Sequence, residues 1–360
     1  MELFGIELIQ FRNYEKISLH FEKPLIFFIG DNGSGKTNLL EAIGYLSFAK
    51  SFRMNTDEEV LAWNQKFFSI HAKLQKQNVD YQVQYGFQVE PQRRKKIKIN
   101  EDTILKKEEY LGFFPIIILS PNDLKLIDDG DVERRKYIDQ IIAFQDKYYT
   151  KSLLDYSKII KNRNLLLKNK ASDSEIHAWN EPLLKTAQVI IEKRKETLET
   201  LNVFYREDVQ KISDKKDVFE IIYHPKSPYD TLKENLLKSL EKDRAIGYTS
   251  VGPHRDKIFI GFEGKDLTEF GSQGQKRSTA ISLKIASYLL LEAKLRFKPI
   301  LLIDDIIREL DIRRRENFLS LIMNCGQAFF TTTDLEGISQ YVGERRENIQ
   351  IFHVSSGTVS

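Results

Sequence analysis

Residues 26–41 read IFFIGDNGSGKTNLLE. An apolar run from Ile26 to Ile29 ends at Gly30. A glycine-rich turn follows through Gly33 and Gly35, and Lys36-Thr37 open a helix-like stretch. This strand–turn–helix setting around G-x-x-x-x-G-K-[ST] is that of a phosphate-binding loop. Few folds accommodate it, because each part has a physical task. Glycines let backbone N–H groups close around an anion. The helix presents its positive dipole end to the same place. Gly30, Asp31, Asn32, Gly33, Ser34, Gly35, Lys36, Thr37 and Asn38 are thus expected to cradle the phosphates of a nucleotide. Lys36 would bring a mobile charge to the β- and γ-phosphates, and the Thr37 hydroxyl would ligate Mg²⁺.

The 360 residues suffice for one large domain or two smaller ones. A hydrophobic content of 41% supports a full core, and 30% charged residues imply a highly charged surface. The net charge of +3 permits a nucleic-acid partner without requiring one, so that case rests on local clusters. The single cysteine, Cys325, excludes a disulfide framework and a cysteine zinc site, and its apolar setting reads as burial. The N-terminus MELFGIELIQF lacks the basic start of a signal peptide, and no run reaches membrane-span length. The chain is expected in the cytoplasm, with no membrane partner.

Around the loop the chain changes character. The opening segment and Ile17-Leu19-Phe21 alternate like strands about a turn at Phe11–Tyr14. Phe68 to Leu74, Tyr81 to Val89 and Ile97 to Ile99 show period-2 patterning, which predicts an antiparallel meander with one polar face. His71 falls on that polar face as ordinary surface. From about Val132 to Ile212 glycine vanishes and helical spacing dominates. One helix is expected to end near Leu167, and a second to run from about Glu175 towards Lys211. Later segments predict a strand over 218–223, a helix from Tyr229 to Lys242, a strand from Lys257 to Phe262 and a long helix from about Gly274 to Arg296.

Hydrolysis needs carboxylates on a strand near the loop. Ile300-Leu301-Leu302-Ile303 is a buried-strand pattern with Asp304-Asp305 at its carboxyl end, where parallel α/β sheets bind ligands. Asp304 would hold Mg²⁺, and Asp305 would orient or deprotonate the attacking water. With Lys36 they form the expected catalytic set. Most of the chain lies between Lys36 and Asp304, so the nucleotide fold is split by insertions. Phe270-Gly271-Ser272-Gln273-Gly274-Gln275 precedes a long helix and forms a second anion-type turn. A plain helix cap would use the same residues. In this motif order, crowding at one γ-phosphate favours use in trans, with Ser272, Gly274 and Gln275 capping ATP held by a second subunit.

The order of phosphate loop, serine–glycine turn and Asp-Asp strand resembles ABC-type ATPases of the branch that contains the SMC proteins. The stretches FRNYEKISLHF, GDNGSGKTNLLEAI, SFR, SPNDLKLIDDGDVERRKYID, TSVGPHRD, FGSQGQKRSTAISLKIA, ILLIDDIIRELD and FFTTTD, from Phe11 to Asp334, resemble the bacterial RecF family. The resemblance implies an α/β fold: an ABC-type P-loop ATPase head with an antiparallel β-meander and an inserted helical second lobe. It divides the chain into an N-terminal ATPase part (1–120), a helical lobe (121–245) and a C-terminal ATPase part (246–360). It implies ATP-dependent dimerisation, a weak ATPase used as a switch, and binding of gapped or junction DNA. It also implies work with RecR and RecO in RecA loading and a part in the SOS response. By position, Glu309-Leu310-Asp311 match the D-loop, and Arg53 stands where relatives carry an arginine near nucleotide and DNA. Arg308 departs from the small residue usual before Glu-Leu-Asp. Asp305 stands for the glutamate of most ABC ATPases, in keeping with slow turnover.

Basic residues cluster at Arg93-Arg94-Lys95-Lys96 with Lys98, at Arg134-Arg135-Lys136, and at Lys161 with Arg163. Each cluster reads equally as a solvated face or as a contact to DNA phosphates, which position DNA without reading its sequence. Three alternatives make different demands. An OLD-like head would carry a nuclease domain after the ATPase core. An SMC protein would carry long heptad segments. A small-molecule P-loop kinase would lack the serine–glycine turn.

Overall fold

The computed structural model describes residues 1–212, 220–262, 264–322, 324–334 and 346–360. The side chains of Arg308 and Glu309 lie outside that description, as do residues 218 and 219 of the strand expected at 218–223. The chain opens with β1 (Glu2–Phe11), β2 (Tyr14–His20) and β3 (Leu25–Ile29), then α1 (Lys36–Phe48). Next come β4 (Phe67–Lys76), β5 (Val79–Gln88), β6 (Arg94–Ile99), β7 (Asp102–Thr103), α2 (Lys107–Tyr110) and β8 (Ile116–Leu119). A helical stretch holds α3 (Lys125–Asp128), α4 (Asp131–Ala143), α5 (Lys147–Lys168), α6 (Asp173–His177) and α7 (Asn180–Ile212). Then follow β9 (Glu220–His224), α8 (Tyr229–Lys238), α9 (Leu240–Ile246), β10 (Lys257–Phe262), β11 (Lys265–Asp266), α10 (Leu267–Phe270) and α11 (Gln273–Leu295). The chain closes with β12 (Ile300–Asp304), α12 (Ile312–Ile322), β13 (Ala328–Thr332), β14 (Ile349–Ser355) and β15 (Thr358–Val359).

Two compact units result: Met1–Asn122 with Leu291–Ser360, and Asp123–Leu290. The first contains two six-stranded sheets. One has the order β15-β14-β3-β13-β12-β8. Its strands β14, β3, β13, β12 and β8 run parallel. Every residue of β3, β8, β12 and β13 is buried, as strands covered on both faces require. The Phe27 and Phe330 rings stack at 4.4 Å between neighbouring strands. The second sheet, β2-β1-β4-β5-β6-β7, is antiparallel. It contains the expected meander, to which the β1–β2 hairpin adds through β1–β4 pairing. Its inner face buries Leu8, Phe11, Phe68, Ile70, Val83 and Tyr85. Buried Gln327 ties the sheets together, accepting from Leu3 N (2.7 Å) and donating to Leu3 O (2.9 Å).

The second unit is mostly helical, with α5 packed on α7 and a small sheet β11-β10-β9. Its end at Leu290 differs from the expected division at 245/246. Residues 246–290 join the helical lobe because β10 pairs with β9 and Arg134 of α4 donates to Ile258 O (2.8 Å). The second long helix begins at Asn180, later than expected. Pro182 lacks an N–H and is tolerated only in a first turn, and the Ser172–Glu175 capping box starts the separate short α6. The helix expected over 229–242 breaks at Ser239 into α8 and α9. Cys325 is half-buried rather than buried, since it lies in a turn after α12. Among the described residues no helix is long and apolar enough to cross a membrane.

Candidate nucleotide-binding site

The phosphate loop joins β3 to α1, and its backbone is shaped by two left-handed glycines, Gly33 (φ 81°) and Gly35 (φ 118°). A Cβ on Gly35 would come within 2.5 Å of Asn13 Nδ2 and 2.7 Å of Tyr14 Oη. A Cβ on Gly30 would meet Val354 O at 2.1 Å. The β1–β2 turn supports the loop from outside. Asn13 Nδ2 donates to Ser34 O (3.1 Å) and Tyr14 Oη to Gly35 O (3.0 Å). Lys36 is buried, and its ammonium donates to Gly30 O (2.7 Å) and Asp31 O (2.9 Å), carbonyls of its own loop.

Strand order brings the acid pair to this loop. β12 lies one strand beyond β13, which pairs with β3, so both carboxyl ends open on the same edge. Thr37 Oγ1 donates to Asp304 Oδ1 (2.8 Å), and Thr331 Oγ1 donates to the same oxygen (2.8 Å). Burial pushes the Asp304 carboxyl upwards, opposed by those two hydroxyls. Asp305 sits at φ 50°, a strained backbone for a non-glycine residue, and its N–H donates to Thr331 Oγ1 (3.0 Å). Among the described residues, Asp305 Oδ1 and Ser34 Oγ are buried without a hydrogen-bond partner. These two oxygens, the buried Lys36 ammonium and the hard-oxygen pair of Thr37 with Asp304 fit a magnesium–triphosphate.

A cluster that the motifs did not assign lies behind the loop. Glu41 is fully buried and accepts from Arg12 Nε (2.9 Å) and Nη2 (2.7 Å), from Ser51 Oγ, and from Arg53 Nη1 at 3.5 Å. Arg53 also donates to Asn38 Oδ1 (3.0 Å), and Asn38 Nδ2 to Asn13 Oδ1 (2.8 Å). Arg53 is therefore tethered to the first turn of α1. An acid in the apolar run LLEAI was the available signal, since a buried charge needs partners.

Ser272, Gly274 and Gln275 lie in the second unit. Ser272 caps α11: Gln275 N donates to Ser272 Oγ (3.2 Å) and Ser272 N to Gln275 Oε1 (2.9 Å), a capping box. Ser272 is exposed, while buried Lys276 anchors the turn to Asp128 Oδ1 and Thr268 O, both at 2.8 Å. In the D-loop match, Leu310 is buried and exposed Asp311 caps α12 through Arg314 N (2.9 Å).

The basic clusters divide. On β6, Arg94, Lys96 and Lys98 alternate with inward-facing residues, and among the described residues none of the three pairs with a carboxylate. Arg93 pairs with Glu58 (2.8 Å), and Lys95 turns inward to Asp57 (2.8 Å). The clusters expected in the helical lobe are largely structural. Arg134 is buried among Leu126 O, Ile127 O and Thr268 Oγ1, Arg135 donates to Asp256 O, and Lys136 pairs with Glu133. Arg163 is fully buried against Asp243 Oδ2 (3.0 Å) and Thr249 Oγ1 (2.7 Å). Lys161 and Lys136 are the exposed members, and Lys136 is paired with Glu133.

A split parallel sheet with a phosphate loop, a facing acid pair and a capped serine turn defines an ATPase head of the SMC-related ABC class. The family model for the RecF/RecN/SMC N terminal domain matches residues 2–360. The DNA replication and repair protein RecF of Leptospira interrogans serovar Lai is 46% identical, covering 100% of this chain and 99% of that protein. RecF of Alkaliphilus oremlandii is 35% identical over 98% of each chain. A solved structure described as the recombination mediator protein RecF with ATP in the RecFOR pathway superposes with a TM-score of 0.89 at 32% identity, covering 99% of this chain and 96% of that one. The Smc head domain of Pyrococcus furiosus shares the fold at TM-score 0.54 and 18% identity. The chain belongs to the RecF family.

Proposed function

We propose that the chain is an ATP-binding protein of DNA replication and repair whose nucleotide site gates dimerisation on DNA. The observation that carries this is the Thr37 Oγ1–Asp304 Oδ1 hydrogen bond, which unites the phosphate loop with the acid strand. Relatives named DNA replication and repair protein RecF and the RecF–ATP structure support it.

Lys36 would exchange Gly30 O and Asp31 O for phosphate oxygens, and the amides of the loop, Asp31 to Thr37, would point at the same anion. Thr37 donates a hydrogen bond to Asp304, which leaves the hydroxyl lone pairs for a metal, so Thr37 and Asp304 together would hold Mg²⁺. Bound there, the ion would supply positive charge to offset the charge of the phosphates. Asp305 Oδ1, without a partner among the described residues, would accept the proton of the attacking water. A carboxylate one methylene shorter than glutamate reaches that water less well, which suits a slow switch. The Ser272–Gln275 turn of a second copy would close the site, and hydrolysis would release the dimer from DNA. Arg94, Lys96 and Lys98 would contact the DNA backbone without reading sequence. Gapped or junction DNA, RecR and RecO are the expected partners, and the cytoplasm the expected location.

Sedimentation with and without ATP and gapped DNA tests the reading. Wild type should double in mass with ATP, and Lys36→Met should not. Ser272→Arg should bind ATP yet neither dimerise nor hydrolyse it. Normal dimerisation of Ser272→Arg would rule out capping in trans.

A further inference from the structure

The outer face of the antiparallel sheet carries a cavity of about 220 Å³. Gly5 opens its floor, because β1 presents no side chain there; a Cβ would come within 3.0 Å of Leu19 O. Register builds the walls. His20 stands opposite Gly5, and Glu7, His71 and Gln84 form one row across β1, β4 and β5. Lys73 and Gln82 form the next row. His71 lies on the polar face, as the alternating pattern predicts, and is half-buried there in the cavity wall.

The lining selects among ligand classes. Among the described residues no group of three His, Cys, Asp or Glu side chains could hold a metal ion. Glu7 in the wall pairs with Lys16 (3.6 Å) and, as an acceptor only, calls for a ligand with donors rather than a bare anion. The volume lies below the ~300–1,000 Å³ usual for drug-sized ligands, so a single ring system fits better than a whole cofactor. Gln82 and Gln84 each offer amide donors and an acceptor, Glu7 adds acceptors, and the two imidazoles offer flat faces. That set matches the hydrogen-bonding edge and π-face of a nucleobase. Cations stand at the rim: Lys73 in the wall, and Lys98 next to Gln84 on β6. The order is therefore a base pocket flanked by phosphate contacts.

We infer that this cavity takes one unpaired nucleobase from a DNA strand lying across the sheet. A continuous duplex keeps its bases stacked inside and cannot fill it, whereas a gap can. The inference rests on the proposed binding of DNA backbone by Arg94, Lys96 and Lys98, and adds discrimination to it.

Fluorescence anisotropy with the full chain tests this on three labelled DNAs: a continuous duplex, a gapped duplex, and the same gap with its unpaired nucleotides abasic. Wild type should favour the intact gap by about fivefold or more, the size expected of one stacked base. The abasic gap should bind like the continuous duplex. The double variant His71→Ala/Gln84→Ala should lose the preference, keep continuous-duplex affinity within about twofold and retain the wild-type melting temperature, since both residues are only half-buried. Gln82→Ala should reduce the preference partially. If the abasic gap binds as tightly as the intact one, or the variant weakens all three DNAs equally, the base pocket is wrong. Failure of wild type to bind any of the three would instead overturn the underlying sheet-face reading, and this inference with it.

Discussion

The basic stretches around Arg94 and around Arg163 look alike in sequence, yet the molecule uses them in opposite ways. On β6 the period is two, so half of the cations point outward regardless of the core. On α4 and α5 the period brings Arg134 and Arg163 onto faces that other elements cover. At Arg134 the guanidinium serves as a hub, its fork meeting three buried carbonyls and the Asp266 carboxylate. Arg194 does the same, donating to both Asp139 oxygens (2.8 and 2.9 Å) and to Pro253 O (2.6 Å). A run of positive residues thus says little until its secondary structure is known. The strand cluster lies on the open face of its sheet, and the buried arginines of the helical one tie elements of the second unit together.

The largest effect should follow from breaking the buried cluster. Arg163 and Asp243 are both fully buried, so Arg163→Leu strands a carboxylate in the core. That should cost about 3–5 kcal/mol, read as a fall in urea midpoint. Removing both charges in Arg163→Leu/Asp243→Leu should restore much of the loss, because the stranded charge carries most of the penalty. Two Arg163 nitrogens, Nε and Nη2, already lack partners among the described residues, which favours that recovery. A single variant as stable as wild type would place Arg163 with the surface cations and erase the contrast.

The same contrast explains what was legible in the sequence. The phosphate loop, α1 and the Asp304-Asp305 strand were legible because local spacing dictates them. The alternation of β4, β5 and β6 likewise marked one polar face. The addition of β1 and β2 to that sheet was not legible, since strand pairing is a choice among distant partners. Nor was the transfer of residues 246–290 to the second unit, which depends on β9–β10 pairing and on Arg134 reaching Ile258 O. The Arg12–Glu41–Arg53 cluster lay within recognised blocks, yet only the tertiary fold brings the two arginines to one carboxylate. The sites for chemistry were local, and the partners of buried charges were not.

A middle-sized effect should appear with pH in the second unit. His254 Nε2 lies 2.9 Å from Thr249 O, a carbonyl that only accepts, so Nε2 carries the proton and Nδ1 accepts from Tyr156 Oη at 2.6 Å. Burial, with Arg255, Arg135 and Arg194 nearby, pushes the imidazole down to about 4. The folded state keeps it neutral while the unfolded chain protonates near 6.5, so the unfolded state binds the extra proton between those values. Its stabilisation is complete above pH 6.5 and lost as pH falls towards 4, by up to about 3 kcal/mol. Asp256, raised chiefly by burial, acts in the opposite sense at the acid end, so the slope should be cleanest between pH 6.5 and 5. Melting curves across that window should flatten for His254→Gln. An unchanged slope would remove His254 from the set of groups governed by the buried arginines.

The smallest effect separates two adjacent residues on one strand. Lys96 faces outward on β6, while Lys95 turns in to Asp57 and accompanies the Tyr85 ring at 5.3 Å. Lys96→Gln should leave stability within about 0.5 kcal/mol. Its slope of log affinity against log salt on continuous duplex should fall by about 0.9, the value for one released counterion. Lys95→Gln should leave that slope unchanged and shift only the melting temperature, because its ammonium already neutralises a carboxylate inside the fold. Equal slope changes in both variants would mean that strand parity does not decide which cations meet DNA. A change in neither would move the phosphate contacts off this sheet. A change in Lys96 alone would tie the salt dependence to the one face that the alternation leaves open.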